Sequence, residues 1–149
     1  MTVYAQGDRV DLPPLAGRTL SGGNLAIADL RGQVVVLNNW ASWCEPCNEE
    51  AEALVEASKK FASQNVQFVG LDVTDQDAAA QDYTKTHGVE YPSIVDPKGV
   101  LLASVPSVPP GALPSTLIID PQGRIAVRII GVVKEPVFSE QITSVLAEE

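Results

Sequence analysis

The sequence predicts an α/β domain with a central mixed sheet, parallel pairs within it and helices on both faces. Three observations carry that expectation. Val34-Val35-Val36-Leu37-Asn38 is an unbroken, β-branched run of the kind found in strands covered on both sides. Helical and strand periodicities then alternate through residues 45–86, and strands separated by helices pair in parallel. Finally, two β-rich runs at 115–119 and 124–130 flank Asp120-Pro121-Gln122-Gly123, a Pro/Gly turn that signals a hairpin.

Taken in order, residues 1–33 are rich in Gly, Pro and short apolar runs. Of these, 1–24 read as an irregular N-terminal extension, with a short hairpin around Gly17-Arg18-Thr19-Leu20-Ser21-Gly22-Gly23. The first long strand leads into Trp40-Ala41-Ser42-Trp43-Cys44. From Glu45 to about Ser63 the period is helical: Ala51, Leu54, Val55, Ser58, Phe61 and Ala62 form one stripe. Glu49, Glu52, Glu56, Lys59 and Lys60 lie mostly off it, and Glu56 with Lys60 makes a favourable i,i+4 pair. Gln64-Asn65 ends this helix, and 66–73 reads as the second strand. Asp75 is the expected N-cap of a helix running to about Thr86, stopped by Gly88. Residues 89–113 carry Pro92, Pro97, Pro106, Pro109 and Pro110, so they read as an insert with a short strand at 93–95 and a turn at Asp96-Pro97-Lys98-Gly99. After the hairpin, a helix from Glu135 or Pro136 to about Ala147 closes the chain. No internal repeat and no second-domain boundary is visible, so 1–149 reads as one domain.

Composition narrows the function classes. Ten basic against nineteen acidic residues leave a net charge of −9, and Lys59-Lys60 is the only adjacent basic pair. That excludes a nucleic-acid partner, because counterion release needs clustered cations. No stretch reaches the roughly 18–20 apolar residues of a membrane span. The N-terminus has no basic n-region and no apolar h-region, so no signal peptide is visible. This leaves the compartment open, a removed export signal or membrane anchor upstream of Met1 being one case.

The chemistry is concentrated in Cys44-Glu45-Pro46-Cys47, at a strand-to-helix junction. A helix start offers free N–H groups and a partial positive charge, which stabilise a thiolate at Cys44. Cys47, on the first turn, is placed to reach back and close a disulfide. Pro46 suits that turn because its missing N–H has no intrahelical partner to lose. Cys44 is therefore the expected exposed attacking thiol and Cys47 the buried resolving one. A disulfide this local closes a tiny ring and adds little chain-entropy stabilisation, so stapling explains the pair poorly. Two chance core cysteines remain the bland alternative. A structural zinc site needs about four N or S ligands, whereas the chain holds two cysteines and one histidine, His87. No metal is expected.

Trp40-Ala41-Ser42-Trp43-Cys44-Glu45-Pro46-Cys47, followed by Leu113-Pro114-Ser115-Thr116, resembles the thioredoxin superfamily. More narrowly, residues 25–147 are similar to the TlpA/ResA-like proteins of the redoxin, AhpC/TSA-type group. The resemblance implies a thioredoxin-like fold with an N-terminal extension and an insert before the cis-proline strand. It also implies a thiol–disulfide oxidoreductase without cofactor beyond a redox-active Cys44–Cys47 disulfide. Its partners would be protein thiols or disulfides and a protein electron donor, met by a monomer. The location would be extracytoplasmic, in the cell envelope, with the cytoplasm as the alternative.

Residue by residue, Pro114 falls on the family's cis-proline, and substrates would pair with the backbone at Leu113. Asn38 takes the place of a buried acid, Trp43 lines the groove, and Glu50 matches an acid that moves protons or tunes the thiols. For Glu50 a solvated helix position is the equal alternative. Three positions depart from the pattern: Asn39 replaces an aromatic residue, Ala51-Glu52 replaces a helix-kinking Glu-x-Pro, and Asn48 stands where a basic residue is common. Glu45, with Glu49 and Glu50 nearby, opposes a thiolate and so points to a reductant.

Two other functions compete. A thiol peroxidase would carry a Thr where Ala41 stands, and a copper-delivery protein would use Cys44, Cys47 and His87. For His87 the plainer expectation is a cation at a helix C-terminus. Asp72 and Asp75 are expected to act as strand-end caps.

Overall fold

The computed structural model describes residues 1–148. A six-stranded sheet forms the centre, in the order β1-β8-β7-β4-β5-β6. Its strands are β1 (Thr2–Val3), β4 (Val34–Trp40), β5 (Val66–Val73), β6 (Ser93–Asp96), β7 (Ser115–Ile119) and β8 (Ile125–Ile130). β4 pairs in parallel with β5, and β5 with β6; β4–β7, β7–β8 and β1–β8 are antiparallel. The mixed sheet expected from the alternation of elements is therefore the observed one. β4 lies at its middle with every residue buried, which is why its run carries no alternation.

Side-chain alternation along β4 sorts the packing. Val34 and Val36, with Phe68 of β5 and Ile118 of β7, face the helices α1 (Glu45–Lys60) and α4 (Val137–Leu146), meeting Leu54, Phe61, Phe138 and Ile142. The helix α2 (Asp77–His87) lies on the same face through Ala80, against Trp40. Val35 and Leu37 point the other way, onto Leu12, Leu15, Ile27, Val105, Val108 and Leu102 of the one-turn helix α3 (Val100–Ala103). The insert at 89–113 thus supplies an edge strand and a lid for the second face.

The structure departs from the sequence expectations at four places. The N-terminal extension is not irregular throughout. It contributes β1, and the hairpin of β2 (Ala16–Arg18) and β3 (Asn24–Ala26) packs beside β6, with Thr19 bridging Ile94 and Leu20 donating its N–H to the Ser93 carbonyl. The α3 turn, too short to show a helical period, was not foreseen. α2 starts at Asp77 with Gln76 as N-cap, because Asp75 is committed elsewhere, although Gly88 does end the helix with φ 70°. The Leu113–Pro114 bond is cis as the resemblance implies, and a second cis bond, Glu135–Pro136, precedes α4.

Candidate active site

β4 ends at Trp40, and the chain turns through Ala41-Ser42-Trp43 into α1, with Cys44 as its N-cap and Pro46 in the first turn. Cys44 and Cys47 form a disulfide with Cα atoms 5.3 Å apart. The expected contrast in exposure is small: Cys44 is 4% exposed and Cys47 1%. The shield over them is the packing of Trp40, Ala41 and Ala80, with Leu20, Tyr83 and Leu113 at its border. The open side chains of the motif are Trp43, 61% exposed, and the exposed Glu45 and Pro46. Leu113 is half-buried and Pro114 buried, so the residue before the cis bond borders the disulfide cluster.

Beneath the pair lies a buried polar layer. Glu50, one turn on from Cys47, is 1% exposed, which removes the solvated-helix alternative. Its Oε2 accepts from Asn38 Nδ2 at 2.7 Å and its Oε1 from the Val133 backbone N–H at 3.1 Å. Burial pushes the Glu50 carboxyl up to about 7, and those two bonds offset it only in part. Asn38 also donates to Thr116 Oγ1 at 3.1 Å, so one amide joins β4, α1 and β7. Asn39, on the opposite face, donates to Ser115 Oγ at 2.8 Å; a polar pair fills the position where the aromatic residue of the family would stand.

Several contacts had no signal in the sequence. Tyr83 of α2 stacks on Trp40 with ring centroids 4.6 Å apart and donates its hydroxyl to the Cys47 carbonyl at 2.9 Å. Burial, with the Glu50 charge adding to it, raises the Tyr83 hydroxyl and keeps it a donor. His87, in the last turn of α2, has its ring 4.4 Å from that of Tyr83, and its Nε2 meets Asn48 Oδ1 at 2.9 Å. Asn48 in turn donates to the Cys44 carbonyl at 3.1 Å. Among the described residues no group of three or more His, Cys, Asp or Glu side chains is gathered for a metal ion. Asp75 accepts from the Ser42 N–H and hydroxyl, both at 2.7 Å, and Trp43 donates to the Thr74 carbonyl at 2.8 Å. The Cys44 turn is thus seated on the loop after β5, while Asp72 is buried in the last part of β5 rather than acting as a cap.

A Cys-x-x-Cys disulfide at a helix start, bordered by the residue before a cis-proline, agrees with what similar chains are. The AhpC/TSA family model matches residues 9–128. The thiol-disulfide oxidoreductase ResA of Bacillus subtilis is 30% identical over 130 residues, covering 87% of this chain and 71% of that protein. Among solved structures, a secreted thiol-disulfide isomerase from Corynebacterium glutamicum superposes with a TM-score of 0.92 at 30% identity, over 98% of this chain and 91% of that one. A DsbF homologue from Corynebacterium diphtheriae gives 0.87 at 30% identity, over 99% and 92%. The chain therefore belongs to the AhpC/TSA family, in its TlpA/ResA-like branch, and is a thiol–disulfide oxidoreductase.

Proposed function

We propose that the protein reduces disulfides of other proteins outside the cytoplasm, with Cys44 attacking and Cys47 resolving. The observation that carries this is the Cys44–Cys47 pair at the N-terminus of α1, bordered by Leu113, the residue before the cis bond to Pro114. In the reduced protein the Cys44 thiolate attacks one sulfur of a partner disulfide and expels the other as a thiolate. Cys47 then gives up its proton and attacks Cys44, which restores the intramolecular disulfide and frees the second partner thiol. Two electrons pass to the partner, and a protein electron donor must return them.

Glu50 is the proposed acceptor of the Cys47 proton. It lies three residues further along the same helix, and at about 7 its carboxyl divides between both forms near neutral pH. Trp43 and Glu45 form the exposed rim, and the Leu113 backbone offers the partner its pairing site. The acidic rim of Glu45 and Glu49 disfavours the thiolate, which supports a reducing couple. The secreted Corynebacterium glutamicum neighbour supports an extracytoplasmic location. No helix among the described residues is long and apolar enough to cross a membrane. Cytochrome c maturation, or another cell-envelope thiol pathway, is the proposed setting for a chain acting as a monomer.

The deciding experiment is a redox titration against glutathione and dithiothreitol buffers. A potential on the order of −200 to −300 mV is expected, and a value near −120 mV, that of a strong oxidant, overturns the direction. Cys44→Ser abolishes disulfide reduction; full activity in that variant removes Cys44 as the attacking thiol.

A further inference from the structure

Asp72 stands near the end of β5, opposite Trp40 of β4 and Val95 of β6, and is 1% exposed. Neither of its carboxyl oxygens accepts a hydrogen bond from an N–H or hydroxyl of the described residues. Charge on a carboxyl so placed is strongly disfavoured. Burial, together with Asp75 and Asp77 nearby, pushes Asp72 up to about 9, so at neutral pH it carries a proton. A protonated carboxyl is a donor, and the acceptor within reach is Asp75.

Asp75 is its counterpart in every respect. It is half-buried and accepts from Ser42 N–H at 2.7 Å, Ser42 Oγ at 2.7 Å and Gln76 N–H at 2.8 Å. Burial works against its charge, but the Asp72 proton and these donors outweigh that and hold Asp75 below the usual carboxylate range. We propose that Asp72 and Asp75 share one proton, and that this makes Asp72 a positioning residue for thiol exchange, locking the Ser42 turn that presents Cys44. The proposal rests on Cys44 being the attacking thiol.

With one proton the pair carries a single negative charge, which the Ser42 donors satisfy. Loss of that proton places two like charges side by side under the turn. Asp75 is then pushed away from Ser42, and the added charge opposes a thiolate at Cys44. The same loop holds the next residue, through Trp43 Nε1 to the Thr74 carbonyl, and Thr74 has a left-handed φ of 50°. A β-branched residue keeps that conformation only where its surroundings impose it.

The charged groups around Asp72 are few. Asp75 comes from the loop and Asp77 from α2, where Arg18 of β2 binds its carboxylate at 2.8 Å. Trp40 and Val95, the register partners on β4 and β6, carry none. The first turn of α1 contributes the Cys44 and Cys47 thiols, which titrate only in the reduced protein.

Carbon-detected NMR titration of the oxidised protein separates this proton from the thiols. The Asp72 carboxyl carbon is expected to titrate near pH 9, with the Ser42 amide resonance moving at the same midpoint. Titration of Asp72 below about pH 5, or a Ser42 amide that does not follow it, overturns the shared proton. In the reduced protein, alkylation of Cys44 is then followed against pH in the wild type and in Asp72→Asn, whose amide donates to Asp75 but cannot ionise. The wild type should fall at least about threefold behind the variant between pH 8 and 10; superimposable profiles overturn the positioning role. If Asp72→Asn does not fold, the wild-type titration still decides the shared proton. A Cys44 unreactive at every pH overturns the exchange reading and the positioning role with it, while the Asp72 resonance still reports the proton.

Discussion

Glu50 is a carboxyl held in the interior one turn beyond Cys47. Its place three residues after Cys47 sets it apart from Glu49 and Glu52 only through the family resemblance, with a solvated position as the equal alternative; burial against Asn38 and the Val133 N–H decides between the two. Its folded value of about 7 lies above the ordinary 4.5, so the folded state binds its proton more tightly than the unfolded chain. The stability associated with that proton is complete below pH 4.5 and is lost as pH rises to about 7. Urea unfolding of the wild type should therefore weaken between pH 5 and 8 by on the order of 3 kcal/mol more than that of Glu50→Gln. The same variant should lengthen the life of a mixed disulfide on Cys44, and remove the pH dependence of its resolution near 7. The Cys44–Cys47 disulfide was legible because local chain order places its two sulfurs together, and the cis bond at Pro114 because the Leu113-Pro114-Ser115-Thr116 motif resembles the family's. Asp75 was misread as a helix cap, since an Asp before a helical run fits that role and its real partner, Ser42, is 33 residues away.

At the scale of elements, strand and helix periodicity located every long element, with ends displaced by a few residues. What it missed were contacts between elements. β5 shows this at Gly70: a Cβ there would collide with Ser93 Oγ and the Trp40 indole nitrogen, which bond to each other at 3.1 Å across it. Gly70→Ala should force that bond open and cost about 1–3 kcal/mol, read by chemical unfolding. α2 contributes through Tyr83, whose hydroxyl holds the carbonyl of Cys47. Tyr83→Phe keeps the stack on Trp40 and loses the bond, so a cost of about 1 kcal/mol is expected, with an altered redox potential as the second readout. Periodicity could not reveal α2 as a wall of the site, because its single fully buried residue, Ala80, gives almost no apolar stripe.

For the molecule as a whole, the N-terminal extension was the least legible part: the hairpin around Gly17–Gly23 was expected, but the Gly- and Pro-rich composition hides the edge strand β1 and the seat of the hairpin beside β6. Its role is to join distant segments. Arg9, with a side chain 3% exposed, binds Asp120 of the β7–β8 turn at 3.0 Å and Glu148 after α4 at 2.6 Å. Arg9→Ala should cost about 2 kcal/mol, less than a fully orphaned buried charge, because Asp120 keeps Arg124 and two backbone N–H donors. The extension also runs along both margins of the sheet. β1 and the neighbouring chain follow β8, with Tyr4 N–H on the Ala126 carbonyl and Ile125 N–H on that of Val10. On the far side the hairpin stands beside β6. Exposed sheet margins recruit extended chains, both as ligands and as the seeds of fibrils. Here both are occupied by the protein's own first 26 residues. The sheet is thereby protected from adding extended chains as further strands, and trimming the extension should show as aggregation when the protein is incubated with an unfolded polypeptide.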